Sequence, residues 1–263
     1  MDIGLIIVGD EILSGKRQDK HLAKVLELLA ARGLMLAWAR YVGDDRPRIT
    51  AALRDAFASG DLVFSCGGIG ATPDDHTRQC AAAALGVPLA LHPQARELIL
   101  ARMRELAAEQ GLPYEPDRAD NQHRLNMGVF PEGATLVPNP YNKIPGFSVG
   151  DVHFVPGFPV MAWPMIEWVL DQRYARLHGG ARQVERSVIV FGAMEASLTP
   201  LMETLEARFA GVKVFSLPSV DHPQYGRHIE LGVKSVHDPV EAFDALRQGL
   251  LQFGAKLGPE MVR

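Results

Sequence analysis

The residues best suited to chemistry lie between Asp61 and Thr77, in the run DLVFSCGGIGATPDDHT. Leu62, Val63 and Phe64 read as a short buried strand. Gly67, Gly68 and Gly70 let the chain bend sharply and expose its N–H groups. Asp74, Asp75 and Thr77 are placed to cap a helix start. Bare N–H groups feeding a helix N-terminus suit a phosphate, whereas carboxylates in the same loop repel one. A divalent metal would reconcile the two, since Mg²⁺ favours one or two carboxylates together with phosphate oxygens. The pattern therefore points to a phosphorylated or nucleotide ligand, and it outweighs the ordinary reading of a tight turn before a capped helix. No Gly-Lys-Ser/Thr follows, so this is not a Walker A loop, and it is not a GxGxxG fingerprint.

Two further acidic loops follow predicted strands. Gly9-Asp10-Glu11-Ile12-Leu13-Ser14-Gly15 comes after Ile3 to Val8, and Gly43-Asp44-Asp45 after a strand over 34 to 42. In an open α/β sheet the carboxyl ends of the strands gather at one edge, where ligands bind. Three acidic loops are thus expected to converge there. Two proline-glycine bends, Pro138 to Phe147 and Pro156 to Pro159, read by themselves as punctuation.

Helical spacing is evident over 20 to 32, 47 to 57, 79 to 85, 93 to 110 and 159 to 177. Strands are expected at 62 to 66 and, as a hairpin about Gly150-Asp151, at 147 to 149 and 152 to 155. Alternating strands and helices imply an α/β fold: a three-layer, mostly parallel sheet with helices on both faces. His178-Gly179-Gly180-Ala181 reads as a linker, dividing a domain over 1 to 178 from one over 183 to 263. In the latter, strands at 187 to 191, 212 to 217 and 228 to 236 and helices at 196 to 209 and 239 to 253 make a small α+β (βαββα) unit.

The chain has 263 residues, is 47% hydrophobic and carries a net charge of −4. That length suits one large or two modest domains. The charge argues against nucleic acid or an anionic membrane as partner. Cys66 and Cys80 form no disulfide framework, in keeping with a reducing cytoplasm; Cys66 is expected to be a small buried residue. The N-terminus lacks the regions of a signal peptide, and no apolar run reaches membrane-spanning length. His76, Asp221, His222 and His228 are read as surface, Glu195 as helix-start polarity, and Met161, Trp163, Met165 and Trp168 as core or interface.

GDEILSG, VGDD, GGIGATPDDHT, PEGATLVPNP, IPGF and VPGFP occur here in the order found in one family. The chain resembles the molybdopterin-binding MoaB/Mog domain family over roughly 1 to 177, and within it the N-terminal part of the competence/damage-inducible A proteins. The resemblance implies a domain that binds a pterin phosphate or a nucleotide diphosphate. The molybdenum-cofactor branch binds and adenylylates molybdopterin. The competence-protein branch hydrolyses diphosphates such as ADP-ribose with a divalent metal (Mg, Mn or Co). Family roles carried over place Gly67, Gly68, Gly70 and Thr72 around phosphate. Asp44 and Asp75 would hold the metal or position the nucleophile. Asp10, Ser14 and Gly15 would line the pocket, and Asn139, Pro145 and Gly146 would close it. A homo-oligomer, dimer or trimer, is expected. A non-catalytic assembly module is the remaining reading.

Several positions depart from the family pattern. Ser65-Cys66 stands where a Thr is usual, Tyr141 to Ile144 replaces smaller residues, and Met161 stands where an acid is usual. The bulkier residues are expected to narrow the pocket, and Lys143 to add a phosphate contact. The amidohydrolase domain of many competence proteins does not follow, so nicotinamide-nucleotide deamidation is not expected.

Overall fold

The computed structural model describes residues 1–179 and 184–263. It divides into two compact units, Met1–Gly179 and Gly180–Arg263. The expected linker falls partly outside the described residues.

The first unit opens with β1 (Ile3–Val8), the one-turn α1 (Asp10–Leu13), α2 (His21–Ala30), β2 (Trp38–Val42), α3 (Arg46–Ser59) and β3 (Leu62–Cys66). It continues through α4 (Thr77–Leu85), β4 (Leu89–Leu91), α5 (Pro93–Glu109), α6 (Ala119–Leu125), β5 (Val129–Pro131), β6 (Thr135–Val137), β7 (Gly146–Val149), β8 (Val152–Val155) and α7 (Pro159–Arg173). The main sheet runs β2-β1-β3-β8-β7-β6. Its first four strands are parallel, and the expected hairpin adds β7 and then β6 antiparallel.

Strands buried on both faces read as near-continuous apolar runs, and every residue of β1, β3 and β8 is buried, with Ser65 and His153 the polar exceptions. Alternate side chains feed two cores. Leu5, Ile7 and Phe64 pack with Val25, Leu29, Met165 and Val169 of α2 and α7. Ile6, Val8 and Val63 pack with Ile49, Leu53 and Ala81 of α3 and α4. This sandwich is the expected three-layer arrangement. The register pairs Val8 with Val42, Ile7 with Cys66 and Cys66 with Val155. Loops leaving β1, β2, β3 and β8 therefore emerge at one edge.

The second strand is shorter than its apolar run suggests, because Leu34 and Leu36 serve as core side chains of the preceding loop. The two-stranded β4-β5 sheet was not legible, its strands being three residues each.

The second unit comprises β9 (Val184–Phe191), α8 (Glu195–Arg208), β10 (Lys213–His222), β11 (Gly226–Ser235), α9 (Val240–Gln252) and β12 (Lys256–Val262). Its antiparallel sheet is ordered β10-β11-β9-β12 and packs on α8 and α9 through Val188, Leu198, Leu231 and Leu246. The βαββα expectation is corrected to βαββαβ. Gly258-Pro259 hides the last strand, since proline normally interrupts a ladder; here a register shift between Leu257 and Glu260 absorbs it at the sheet edge. His228 is also corrected, being buried with Nδ1 donating to the Gly226 carbonyl.

Candidate functional site

At the shared strand edge lies a cavity of about 570 Å³. Of the residues singled out in the sequence, Asp44, Gly67, Gly68, Gly70, Thr72, Asp75, Asn139 and Pro145 line it. Asp10, Ser14, Gly15 and Gly146 do not. Ser14 and Gly15 follow α1 as exposed turn residues. Gly146 is buried in β7, where a Cβ would come within 2.2 Å of the Phe154 carbonyl oxygen. Asp10 acts one step away, through Asp44.

The glycine loop is shaped by its neighbours. Gly67 (φ 104°) and Gly68 (φ 68°) adopt backbone conformations that other residues rarely take. A Cβ on Gly67 would meet the Val8 carbonyl oxygen at 2.3 Å, and one on Gly68 would meet Thr77 Oγ1 at 2.2 Å. Buried Thr77 anchors the loop: its hydroxyl donates to the Gly67 carbonyl (3.0 Å) and its amide to that of Gly68 (2.9 Å). Among the described residues, the amides of Gly68, Ile69, Gly70 and Ala71 find no hydrogen-bond acceptor. Of these residues Ile69 is buried, Gly68 and Gly70 are half-buried and Ala71 is exposed, and such a run of amides along a cavity is the pattern of an anion cradle.

Asp74 and Asp75 were expected as caps. Instead α4 begins at Thr77 with His76 as N-cap and no side-chain cap bond. Asp75 Oδ2 turns back to accept from the Thr72 amide (2.9 Å) and hydroxyl (2.5 Å), closing the loop on itself. Among the described residues Asp75 Oδ1 has no hydrogen-bond partner. Arg78 supports the loop from beneath, donating from a buried guanidinium to the carbonyls of Gly70 (2.6 Å) and Asn126. Burial depresses its pKa, partly offset by Asp75.

The tandem acids after β2 divide their work. Asp45 caps α3, accepting from the Arg48 amide at 3.0 Å. Asp44 faces the cavity. Its pKa is raised, first by burial, against a backbone hydrogen bond from Asp10 that lowers it, and further by the like charges of Asp10, Glu11 and Asp74.

Sequence reasoning did not single out Glu11, Arg17, Met127 and Phe158, which line the cavity, and Met161, read as core or interface, is corrected to a lining residue. Glu11 lay within the expected acidic loop and could have been found there. Arg17 had no signal. The expected narrowing by Tyr141 to Ile144 is partly corrected. Asn142 and Ile144 line the cavity, but Tyr141 is exposed and Lys143 pairs with Glu105. Asn139 is spent on its own bend, donating to Asn142 Oδ1 (2.8 Å) and the Ile144 carbonyl (3.0 Å) and accepting from the Tyr141 amide (3.0 Å). Gly157 of the second bend is tethered by buried His21, whose Nε2 donates to its carbonyl at 3.0 Å. Cys66 is buried and its thiol pKa is pushed up by that burial, so it is no accessible nucleophile.

Among the described residues no group of three or more His, Cys, Asp or Glu side chains could hold a metal by itself. The acidic loops therefore do not amount to a protein-only metal centre. Crowding of carboxylate charge around Asp44 does fit a hard cation that completes its shell with ligand phosphate oxygens and water.

A mostly parallel sheet whose glycine loop and two acidic loops meet at one edge defines an α/β domain of the three-layer class. The family described as "probable molybdopterin binding domain" matches residues 4–176, and the chain belongs to it. A CinA-like protein of Syntrophotalea carbinolica is 33% identical over 220 residues, covering 80% of this chain and 51% of that protein. The chain thus spans about half the length of such CinA-like relatives. A Pyrobaculum calidifontis protein is 30% identical over 255 residues, covering 94% of each chain. The crystal structure of CinA from Thermoplasma acidophilum, titled as of unknown function, is 28% identical with a TM-score of 0.53, covering 65% of this chain and 96% of that one. Among the described residues no helix is long and apolar enough to cross a membrane.

Proposed function

We propose that the cavity binds a pterin phosphate or nucleotide diphosphate, with the phosphates on the Gly68–Ala71 amides and the ring system against Met127, Ile144, Phe158 and Met161. The observation that carries this reading is the run of four cavity-lining amides without an acceptor. Thr72 adds a hydroxyl, and Arg17 is the one Lys or Arg among the described lining residues.

Metal-dependent diphosphate hydrolysis is the second reading, and the gathering of Glu11, Asp44, Asp74 and Asp75 along one cavity favours it. A carboxylate crowded by other carboxylates gains most from a cation. Asp44 and the free Oδ1 of Asp75 would hold a divalent ion, which when bound neutralises phosphate oxygens. Asp75 Oδ2 meanwhile fixes Thr72 and with it the cradle, so ligand position and metal affinity are linked through one side chain. The non-catalytic assembly reading lacks such an observation. Assembly into a dimer or trimer is a separate proposal, decided by light scattering on the purified chain.

The deciding experiment measures binding and turnover of ADP-ribose, FAD and ATP with Mg²⁺, Mn²⁺ or Co²⁺, for wild type and Asp75→Asn. Metal-dependent turnover that falls at least roughly a hundredfold in the variant establishes the hydrolase reading. Tight binding without turnover leaves the binding reading alone. Neither binding nor turnover, with a molybdopterin-type ligand also failing, sinks both.

A further inference from the structure

We propose that a second cavity, behind the glycine-acid loop, is an anion site that takes a phosphate group. This cavity of about 400 Å³ is lined by Arg46, Thr72, Asp75, His76, Arg78 and Gln79, among others. Ala71, Thr72 and Asp75 line both cavities, so the loop is the wall between them.

The two cavities differ in charge. The front one is lined by Glu11, Asp44, Asp74 and Asp75 against Arg17. The rear one is lined by Arg46 and Arg78, with His76, against Asp75 alone. Asp75 is already engaged through Oδ2 with Thr72.

Three observations favour a bound anion. First, Arg78 is 4% exposed yet lines the cavity, so a desolvated guanidinium sits at its wall. Its described bonds, to the carbonyls of Gly70 and Asn126, are both to neutral acceptors, and Asp75 is the carboxylate whose charge acts on it. A buried charge is costly unless paired, and a phosphate would pair it in the planar, forked geometry that guanidinium groups favour. Second, Arg46, an exposed residue that lines the cavity, has no hydrogen bond or ion pair from its side chain among the described residues, which leaves it free to turn to an anion. Third, α4 starts here without a side-chain cap, and the amides of Arg78 and Gln79 find no acceptor among the described residues. Such amides and the helix dipole favour negative charge.

The inference stands apart from the front-cavity reading. The anion is either free phosphate or the terminal phosphate of a ligand reaching round the loop, and the test separates these sources.

Amide NMR spectra of the full chain would be followed during titration with inorganic phosphate in EDTA, which removes any metal-dependent binding at the front. Saturable shifts are expected at Arg46 and at 76 to 79. Arg46→Glu should bind phosphate roughly tenfold more weakly, and Arg46→Lys should largely restore binding. The acidic variant places a carboxylate in the first turn of α3, which helices tolerate well, so folding is retained; the unchanged remainder of its spectrum checks this. Asp44→Asn should leave phosphate binding unaltered. A terminal ligand phosphate would make 2′-phospho-ADP-ribose bind tighter than ADP-ribose in wild type but not in Arg46→Glu. Equal binding of the two, with inorganic phosphate still shifting the rear amides, assigns the site to free phosphate. No saturable shifts at these amides, or equal affinity in Arg46→Glu, overturns the proposal. Failure of ADP-ribose to bind, with the phosphate result intact, overturns only the front-cavity reading.

Discussion

Asp10 and Asp44 exchange backbone-to-side-chain hydrogen bonds: the Asp10 amide donates to Asp44 Oδ2 at 2.9 Å, and the Asp44 amide donates to Asp10 Oδ1 at 3.1 Å. The loops after β1 and β2 are thereby tied to each other by the two carboxylates themselves. Asp10 does not line the cavity, yet it sets both the position and the charge of the acid that does.

Substituting Asp10 should therefore tune Asp44. Asp10→Asn keeps an acceptor for the Asp44 amide and removes a like charge, so the Asp44 pKa should fall. Ligand binding that needs Asp44 ionised should then extend to lower pH. Asp10→Ala also removes the acceptor and should cost about 1 kcal/mol of stability. Carboxyl NMR titration and urea denaturation check the two effects separately.

Gly68→Ala should damage both fold and site. Its φ of 68° and the 2.2 Å approach of a Cβ to Thr77 Oγ1 leave no room without breaking the Thr77 anchor. A loss of about 2 kcal/mol is expected, together with weakened ADP-ribose binding. Wild-type affinity in this variant would argue against the loop as cradle.

Thr72→Val tests the closure of the loop by Asp75. The variant retains the amide bond to Asp75 Oδ2 but loses the hydroxyl bond. A drop in affinity of roughly fivefold to tenfold is expected with little change in melting temperature, since the loop is exposed. Calorimetry with ADP-ribose and a thermal melt give both readings.

A buried polar chain should make the first unit acid-sensitive. Ser148 Oγ lies 2.7 Å from His153 Nδ1, His153 Nε2 lies 2.8 Å from the Tyr174 hydroxyl, and that hydroxyl donates to Asp151 at 2.6 Å. Because Tyr174 gives its proton to Asp151, His153 Nε2 must donate to Tyr174 and Nδ1 must accept from Ser148. Burial, with the Arg173 charge adding to it, holds the folded His153 pKa down at about 3, from an ordinary 6.5. The unfolded chain then binds the extra proton first, so stability is intact above pH 6.5 and lost as pH falls from 6.5 towards 3. The loss from this group over that whole range is on the order of 5 kcal/mol. Denaturant midpoints between pH 7 and 4 should fall in wild type and fall less steeply in His153→Gln.

The sequence by itself determined the strands that are apolar throughout and the helices with clear periodicity. β1 and β3 begin and end where their runs of apolar and small residues do, because a strand covered on both faces admits few polar positions, Ser65 of β3 being one. It also determined the glycine loop, since residues at positive φ with a carbonyl or hydroxyl against their Cβ position must be glycine. Only the tertiary structure decided what the acids do. Asp10, Asp44, Asp45, Asp74 and Asp75 are alike as letters. Asp10 steers Asp44, Asp44 and Asp74 line the cavity, Asp45 caps a helix and Asp75 closes a loop. Those roles depend on which amides lie within about 3 Å of each carboxylate, and such distances arise only when separate strands are brought to a common edge. Arg17, Arg46 and Arg78 escaped the sequence reading for the same reason. Arg17 and Arg46 lie far along the chain from the glycine loop and carry no local signal, while Arg78 follows the loop directly but reads as an ordinary helix residue until packing buries it at the cavity wall.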